Sequence, residues 1–300
     1  ASNELFTQFL ARVYAEIPNA IVATFSTLKY VNSQAFEQFR SVWKAKYLGG
    51  FVVHSRAFDG LKGDFPIGFL IWDTAKKEHI KDIYVDVLDR DANLLGDKAF
   101  SNVESQKLLT TWIKRPKTNK TPVVPLKGAV EPATTTADLR GTRWSDGAIG
   151  WFNCAGNDLQ QATKLTMILS SGFGSGRGFF INPDNVGDVA IMFTIRRLVR
   201  PTWLNDRDQF LQPSQPLTTE FRSDWLAWML FSSSNLSASA NGLQWNGEEW
   251  SLTNHFIPFT EKEVGAIGRF ESDFMSKYIA PMKFSAEAKA VMKQGQLLFQ

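Results

Sequence analysis

The chain has 300 residues, 44% of them apolar and 13% aromatic, enough to bury a sizeable core and to form two domains. A formal net charge of +3 and a pI of about 8.9 are too weakly basic to argue for nucleic-acid binding on their own. The one cysteine, Cys154, excludes an internal disulfide, and the three histidines, His54, His79 and His255, are too scattered for a metal cluster. There is no run of about 18 apolar residues and no basic start followed by an apolar stretch, so no membrane span or secretion signal is read and a cytoplasmic location is the default.

Phe6, Phe9, Leu10, Val13 and Ile17 recur at helical spacing, with Ser2 or Asn3 available as cap, Glu4 near the positive end of the dipole, and Pro18-Asn19 as the stop. Residues 20–26 are an apolar run of strand length, the pattern of a parallel strand covered on both faces. Asn32 or Ser33 caps a second helix whose stripe is Phe36, Phe39, Trp43 and Tyr47, closed by Gly49-Gly50. Strands are expected at Phe51–Ser55 and Pro66–Asp73, joined by the loop Arg56–Asp64. Ile83–Val87 alternates as a half-buried strand does. In open α/β sheets ligands bind outside the carboxyl ends of the strands, which brings Ser26–Tyr30 and Arg56–Phe65 together.

The succession Phe25-Ser26-Thr27-Leu28-Lys29-Tyr30, Phe39-Arg40, Gly49-Gly50-Phe51-Val52-Val53 and Phe65-Pro66-Ile67-Gly68-Phe69 resembles the later part of adenine-specific DNA methyltransferases of restriction-modification systems. The resemblance covers residues 1–90 and rests on the order and spacing of short matches. It implies S-adenosylmethionine as methyl donor and a flipped adenine as acceptor, because the exocyclic amine is out of reach inside a duplex. In that family an aromatic residue in the loop before the final hairpin stacks on the extruded base. Phe58 is the match, Phe65 the alternative, and Ser26, Lys29 and Tyr30 would line the crevice beside the base. The plain alternative for either phenylalanine is packing beneath the loop. No Asn-Pro-Pro-aromatic motif occurs; Asn182-Pro183-Asp184-Asn185 departs at its third and fourth positions. No strand, glycine turn and helix precede these residues as a donor site would require. The implied chain is therefore a fragment with no catalytic residue of its own.

Beyond residue 90 the rhythm changes to short strands and proline- and threonine-rich connections. From Trp112 to Lys127 there are five basic residues and no acidic one, including Lys114, Arg115 and Lys117. Such a segment suits a loop along phosphates or a solvated linker. Gly172-Phe173-Gly174-Ser175-Gly176-Arg177-Gly178 would be a donor turn only in a permuted enzyme and only if a helix followed; Phe179-Phe180-Ile181 reads as a strand. Arg177 then serves a phosphate-contacting nest or plain solvation. Val186, Val189, Ala190 and Phe193 mark a helix ending before Pro201, with Arg196, Arg197 and Arg200 near its end and Trp203 and Arg207 beyond. Those cations complement the helix dipole or grip phosphates. Asn246-Gly247 predicts a hairpin flanked by Trp245 and Trp250. Thr260 with Glu263 is a capping box opening a helix through Val264, Ile267, Phe274 and Tyr278, and Ser285 opens a last helix toward Met292. The stretches around Arg196–Trp203 and at 254–259 resemble the target-recognition part of the same enzymes, and His255 reads as structural. No Gly-x-Ser-x-Gly elbow or clustered nuclease carboxylates occur.

The expectation is an α/β chain: a partial Rossmann-like methyltransferase sheet over residues 1–90, then a mixed α+β target-recognition domain over 91–300. Its partners would be double-stranded DNA, contacted by Lys114, Arg115, Lys117, Arg177, Arg196, Arg197 and Arg200, and the missing amino-terminal part of the same enzyme. No metal is expected, and S-adenosylmethionine would bind the full-length enzyme, not this chain alone. The rivals are a non-catalytic DNA-binding specificity module and the permuted enzyme.

Overall fold

One antiparallel strand slotted between two strands that run the same way organises the amino-terminal part of the chain. The computed structural model describes residues 4–117, 147–154, 156–169, 178–214, 216–232, 238–245, 247–254, 256–263, 265 and 273–299. It divides into one unit of residues 1–112, 157–162 and 199–212, and a second of residues 113–156, 163–198 and 213–300. The first unit thus carries residues beyond 90 and takes back two later segments.

In the first unit, α1 (Leu5–Glu16) leads to β1 (Ile21–Thr27), the short α2 (Lys29–Asn32) and α3 (Glu37–Val42). Then come β2 (Ala45–His54), β3 (Pro66–Lys77), β4 (Asp82–Leu88), β5 (Leu94–Ser101) and the one-turn α4 (Leu109–Trp112). The sheet order is β1-β3-β2-β4-β5. β3 is antiparallel to both neighbours, β2 is parallel to β4, and β4 is antiparallel to β5. The sheet is mixed, and β1 lies on its edge with an antiparallel partner, not inside a parallel sheet as its apolar run predicted. Ile21 is 60% and Phe25 49% exposed.

The helices cover one face. Leu10, Tyr30, Val31, Phe39 and Trp43 pack on Val22, Val52, Leu70, Trp72, Ile83, Val85 and Phe100. Each fully buried apolar side chain there contributes about 1.5–3 kcal/mol. On the opposite face the register aligns Phe25, Phe69 and Phe51 across three strands, with ring centroids 4.7 Å (Phe25–Phe69) and 5.4 Å (Phe51–Phe69) apart.

The second predicted helix is shorter than its stripe. Trp43 already has extended backbone, and Tyr47, Gly49 and Gly50 belong to β2. The aromatic spacing ran on into a strand, and the glycines serve a sheet instead of a helix end. Gly49, at φ +146°, sits where the β2–β3 register shifts, a bulge that glycine accommodates without strain. Gly50 lies so close to the Phe69 carbonyl that a Cβ would collide with it.

The second unit has a three-stranded antiparallel sheet of β6 (Gly150–Asn153), β7 (Met167–Leu169) and β8 (Gly178–Ile181), with the short α5 (Ala162–Leu165) between β6 and β7. α6 (Val186–Leu198) and α7 (Thr219–Leu230) pack together, and Phe193 meets Trp228 at 5.7 Å. β9 (Ala238–Trp245) and β10 (Glu248–Asn254) form the expected hairpin, Trp245 opposite Glu248; Asn246 of its turn is outside the described residues. α8 (Phe274–Ile279) and α9 (Ala286–Phe299) complete the unit, and the Ala288 N–H donates to Ser285 Oγ at 3.1 Å as the cap predicted. The capping box also forms, with Thr260 N–H donating to Glu263 at 2.7 Å and Glu263 N–H to Thr260 Oγ1 at 3.2 Å. It closes a turn rather than one long helix: Gly265 is at φ +71°, and Phe274 and Tyr278 lie in the separate α8. Val264 and Ile267 lie outside the described residues.

Because the obstacle at Gly50 is backbone in the central hairpin, Gly50→Ala should destabilise the first unit by about 1–3 kcal/mol, the usual cost of overpacking. Urea denaturation should show a lower midpoint with an unchanged slope; an unchanged midpoint would contradict the close approach.

Candidate functional site

β1, β2 and β4 point the same way, so their carboxyl ends at Thr27, His54 and Leu88 share one edge of the sheet. The loop from β2 to β3 is built there around Ser55, which is fully buried. Its hydroxyl donates to the Gly63 carbonyl at 2.8 Å, its N–H donates to the Phe65 carbonyl at 2.9 Å, and its own carbonyl accepts from Phe58 N–H at 3.1 Å. A short hydroxyl thus substitutes for the ladder bonds the loop cannot make.

The loop's two ends meet through charge. His54 Nδ1 accepts the Arg56 N–H at 3.0 Å, which directs Nε2 to Asp64 at 3.4 Å. Arg56 also reaches Asp64, at 2.8 Å. Burial, Arg56 and Arg90 lower the His54 pKa more than Asp64 raises it, so the ring is a neutral imidazole at pH 7 with Nε2–H as donor. Its other surface lies 5.2 Å from the Trp203 ring.

Residues 199–212 add a buried carboxylate to this edge. Asp206 is 6% exposed and 3.1 Å from Arg207, with Asp158 3.9 Å from the same guanidinium. Burial pushes the Asp206 carboxyl up to about 6; Arg207 pulls it down, and Asp158 and Asp64 push it further up. The Arg207 carbonyl accepts from buried Asn32 Nδ2 at 2.6 Å, which ties this segment to α2.

The predicted base-pocket residues fall on two sides of the sheet. Phe58 packs edge-on against Phe25, 5.3 Å away, so the Arg56–Phe65 loop does meet β1. Ser26, one residue on, faces the helix-covered side with Val22, where the Trp72 indole N–H donates to the Tyr30 hydroxyl. Tyr30 is 2% exposed, its hydroxyl 3.2 Å from Trp72 Nε1, and burial raises its pKa. Tyr30 is a core residue, not a crevice wall. Lys29 pairs with Glu4 at 3.1 Å on the helix side. Phe65 is half-buried and closes the loop through its backbone. Alternation along β1 makes the split unavoidable.

Among the predicted phosphate contacts, Arg196 is corrected. It is 0% exposed, its Nε donating to Thr166 Oγ1 at 2.9 Å and its Nη1 to the Gly156 carbonyl. Arg197 donates to the carbonyls of Thr163 at 2.7 Å and Thr166 at 3.1 Å, beside the end of α5. Arg207 is buried with its carboxylates. Lys114, Arg115, Lys117 and Arg200 are exposed, and Arg115 lies over the Phe179 ring at 5.1 Å. Arg177 and His255 lie outside the described residues. Asn182 and Asn185 exchange side-chain and backbone bonds at 2.9 and 3.1 Å and cap α6, and Gly178 opens a strand, not the helix a donor turn requires.

The strand-end site therefore combines an aromatic surface, Phe58 and Phe25 with Phe51 and Phe69 behind, with a charged rim of Arg56, Asp64 and a neutral His54. The surface suits a flat π ligand and the rim supplies donors and acceptors for its edge. Sequence reasoning missed the rim. His54 and Asp64 flank the loop symmetrically, a signal that a hairpin joins them, but Asp206 and Arg207 arrive from more than a hundred residues away without any local pattern. Among the described residues no three His, Cys, Asp or Glu side chains group as a metal site, and no helix is long and apolar enough to cross a membrane.

Asp206 binds its proton more tightly folded than unfolded, so its stabilising contribution is complete below about pH 3.8 and is lost as pH rises through about 6. Asp206→Asn should remove that fall, on the order of 2 kcal/mol, from thermal melts between pH 4 and 7; parallel profiles for the two proteins would refute the buried carboxylate's role. Comparisons with protein-family models, with curated proteins and with solved structures each find no match for this chain.

Proposed function

We propose that this chain supplies the carboxyl-terminal part of the catalytic sheet, together with the target-recognition region, of an adenine-specific DNA methyltransferase of a restriction-modification system, working in the cytoplasm. The observation that carries the reading is β1. It has the composition of a strand covered on both faces, yet it stands at the sheet edge with Ile21 and Phe25 exposed, a surface proteins otherwise protect. In this reading the polypeptide holding the Asn-Pro-Pro-aromatic loop and the S-adenosylmethionine site docks along β1.

The described residues do not fit a donor site: the strand-end edge has no glycine turn opening a helix, and Gly178 leads into β8. When bound on the complementing polypeptide, S-adenosylmethionine supplies the methyl group. This chain's residues hold the acceptor. Phe58, already edge-on to Phe25, stacks on the extruded adenine, and the Arg56–Asp64 rim meets the adjoining backbone. Lys114, Arg115, Lys117 and Arg200 contribute phosphate contacts, which set register without reading sequence.

Calorimetry should detect no S-adenosylmethionine binding by this chain alone, and duplex binding should weaken steeply with salt. In the enzyme completed with its donor-binding part, Phe58→Ala should lower kcat/KM roughly tenfold to a hundredfold, the range expected for losing one stacked base. It should also reduce 2-aminopurine fluorescence at the target position. Tight donor binding by this chain alone would overturn the reading, and unchanged kinetics would remove Phe58 from it.

A further inference from the structure

At the end of the sheet opposite the Phe58 loop, the end of α3 and the starts of β2 and β4 enclose a cleft of about 40 Å³. Arg40, Trp43, Lys44, His79, Lys81 and Asn102 line it, above Trp72 and Phe100, and no acidic side chain does. A volume of that size holds two or three waters or one small oxyanion.

The hydrogen bonding of the cleft is lopsided. Arg40 donates through Nε to Asn102 Oδ1 at 2.6 Å and through Nη1 to the carbonyls of Ser33 at 2.7 Å and Tyr30 at 3.3 Å. These bonds fix the guanidinium plane, while the buried Nη2 has no acceptor. Trp43, 6% exposed, likewise has no acceptor for its indole N–H. Glu37, the carboxylate whose charge acts on Arg40, is itself engaged by the Ser105 N–H and hydroxyl. Buried donors without protein acceptors, beside Lys44 and Lys81, suit an anion with several oxygens. A carboxylate offers two oxygens and one charge. A terminal phosphoryl group offers three oxygens and nearly two charges.

We propose that this cleft binds a terminal phosphoryl group, as inorganic phosphate or as the end of a phosphomonoester, held by Arg40, Lys44 and Lys81 with the Trp43 indole N–H. The site is separate from the strand-end surface and does not depend on the proposed methyltransferase reading.

Arg40 also braces the backbone, so the test leaves it in place. Titration of the full chain with inorganic phosphate, followed calorimetrically and by the indole N–H resonance of Trp43, should show saturable one-to-one binding. The double variant Lys44→Gln/Lys81→Gln should weaken it at least roughly tenfold, as expected on losing charge-assisted bonds. The charge-matched control Lys283→Gln/Lys289→Gln, in the second unit, should bind like the parent. Phenyl phosphate binding with equal affinity would identify a monoester site, and binding of phosphate alone a free-ion site. Absence of saturation up to about 10 mM phosphate, or equal weakening in the control, would overturn the proposal, and displacement of phosphate by a duplex oligonucleotide would overturn the monoester assignment.

Discussion

The first unit depends on the two-sided pairing of β3. A strand that is antiparallel to both neighbours holds β1 and β2 in the same direction while lying between them, so both of its ladders are used and neither of its edges is exposed. That pairing requires thin backbone: Gly50 passes beneath the Phe69 carbonyl, and Gly68 leaves room for Leu28. It also sets the row Phe25-Phe69-Phe51 on one face and Val22, Leu70 and Val52 on the other. A one-residue slip would exchange those sets and expose the core. With this register fixed, the carboxyl ends of β1, β2 and β4 gather at one edge and the basic cleft lies at the other.

The same alternation decides what the strand-end surface can be. Neighbouring residues on β1 cannot serve one ligand, so Ser26 faces the helix-covered side while Phe25 supports Phe58. The polar rim was assembled differently. Ser55 replaces missing ladder bonds inside the loop, and His54, Arg56 and Asp64 close its base, so the aromatic tip is carried on a rigid connection.

Elements whose patterns stand alone were readable from the chain: α1, the alternation of β4, the hairpin of β9 and β10, the helix beginning at Val186. Features requiring a partner were not. The apolar run of β1 carries no information about which neighbour pairs with it, so a parallel interior strand was the natural reading of what is an antiparallel edge. Tyr47 continued the spacing of Phe39 and Trp43 because helix and strand periods coincide over short distances, and the glycine pair after it serves a bulge and a close approach as readily as a helix end. The resemblance singled out Phe58, with Phe65 as the alternative, and Phe58 packs on Phe25, whereas the burial of Tyr30 and Arg196 required the packing itself. Arginines at a helix carboxyl end look alike in sequence, and here Arg200 reaches water while Arg196 is internal.

Arg196 has one more consequence. Its guanidinium ties α6 to the Gly156 carbonyl and to Thr166, and the thiol of Cys154, two residues before Gly156, lies buried beside it. Burial raises the thiol pKa more than Arg196 lowers it, so the sulfur stays protonated and unreactive while the packing holds. As the chain has a single cysteine, its rate of alkylation is a built-in clock for transient opening of the second unit, and needs no introduced label.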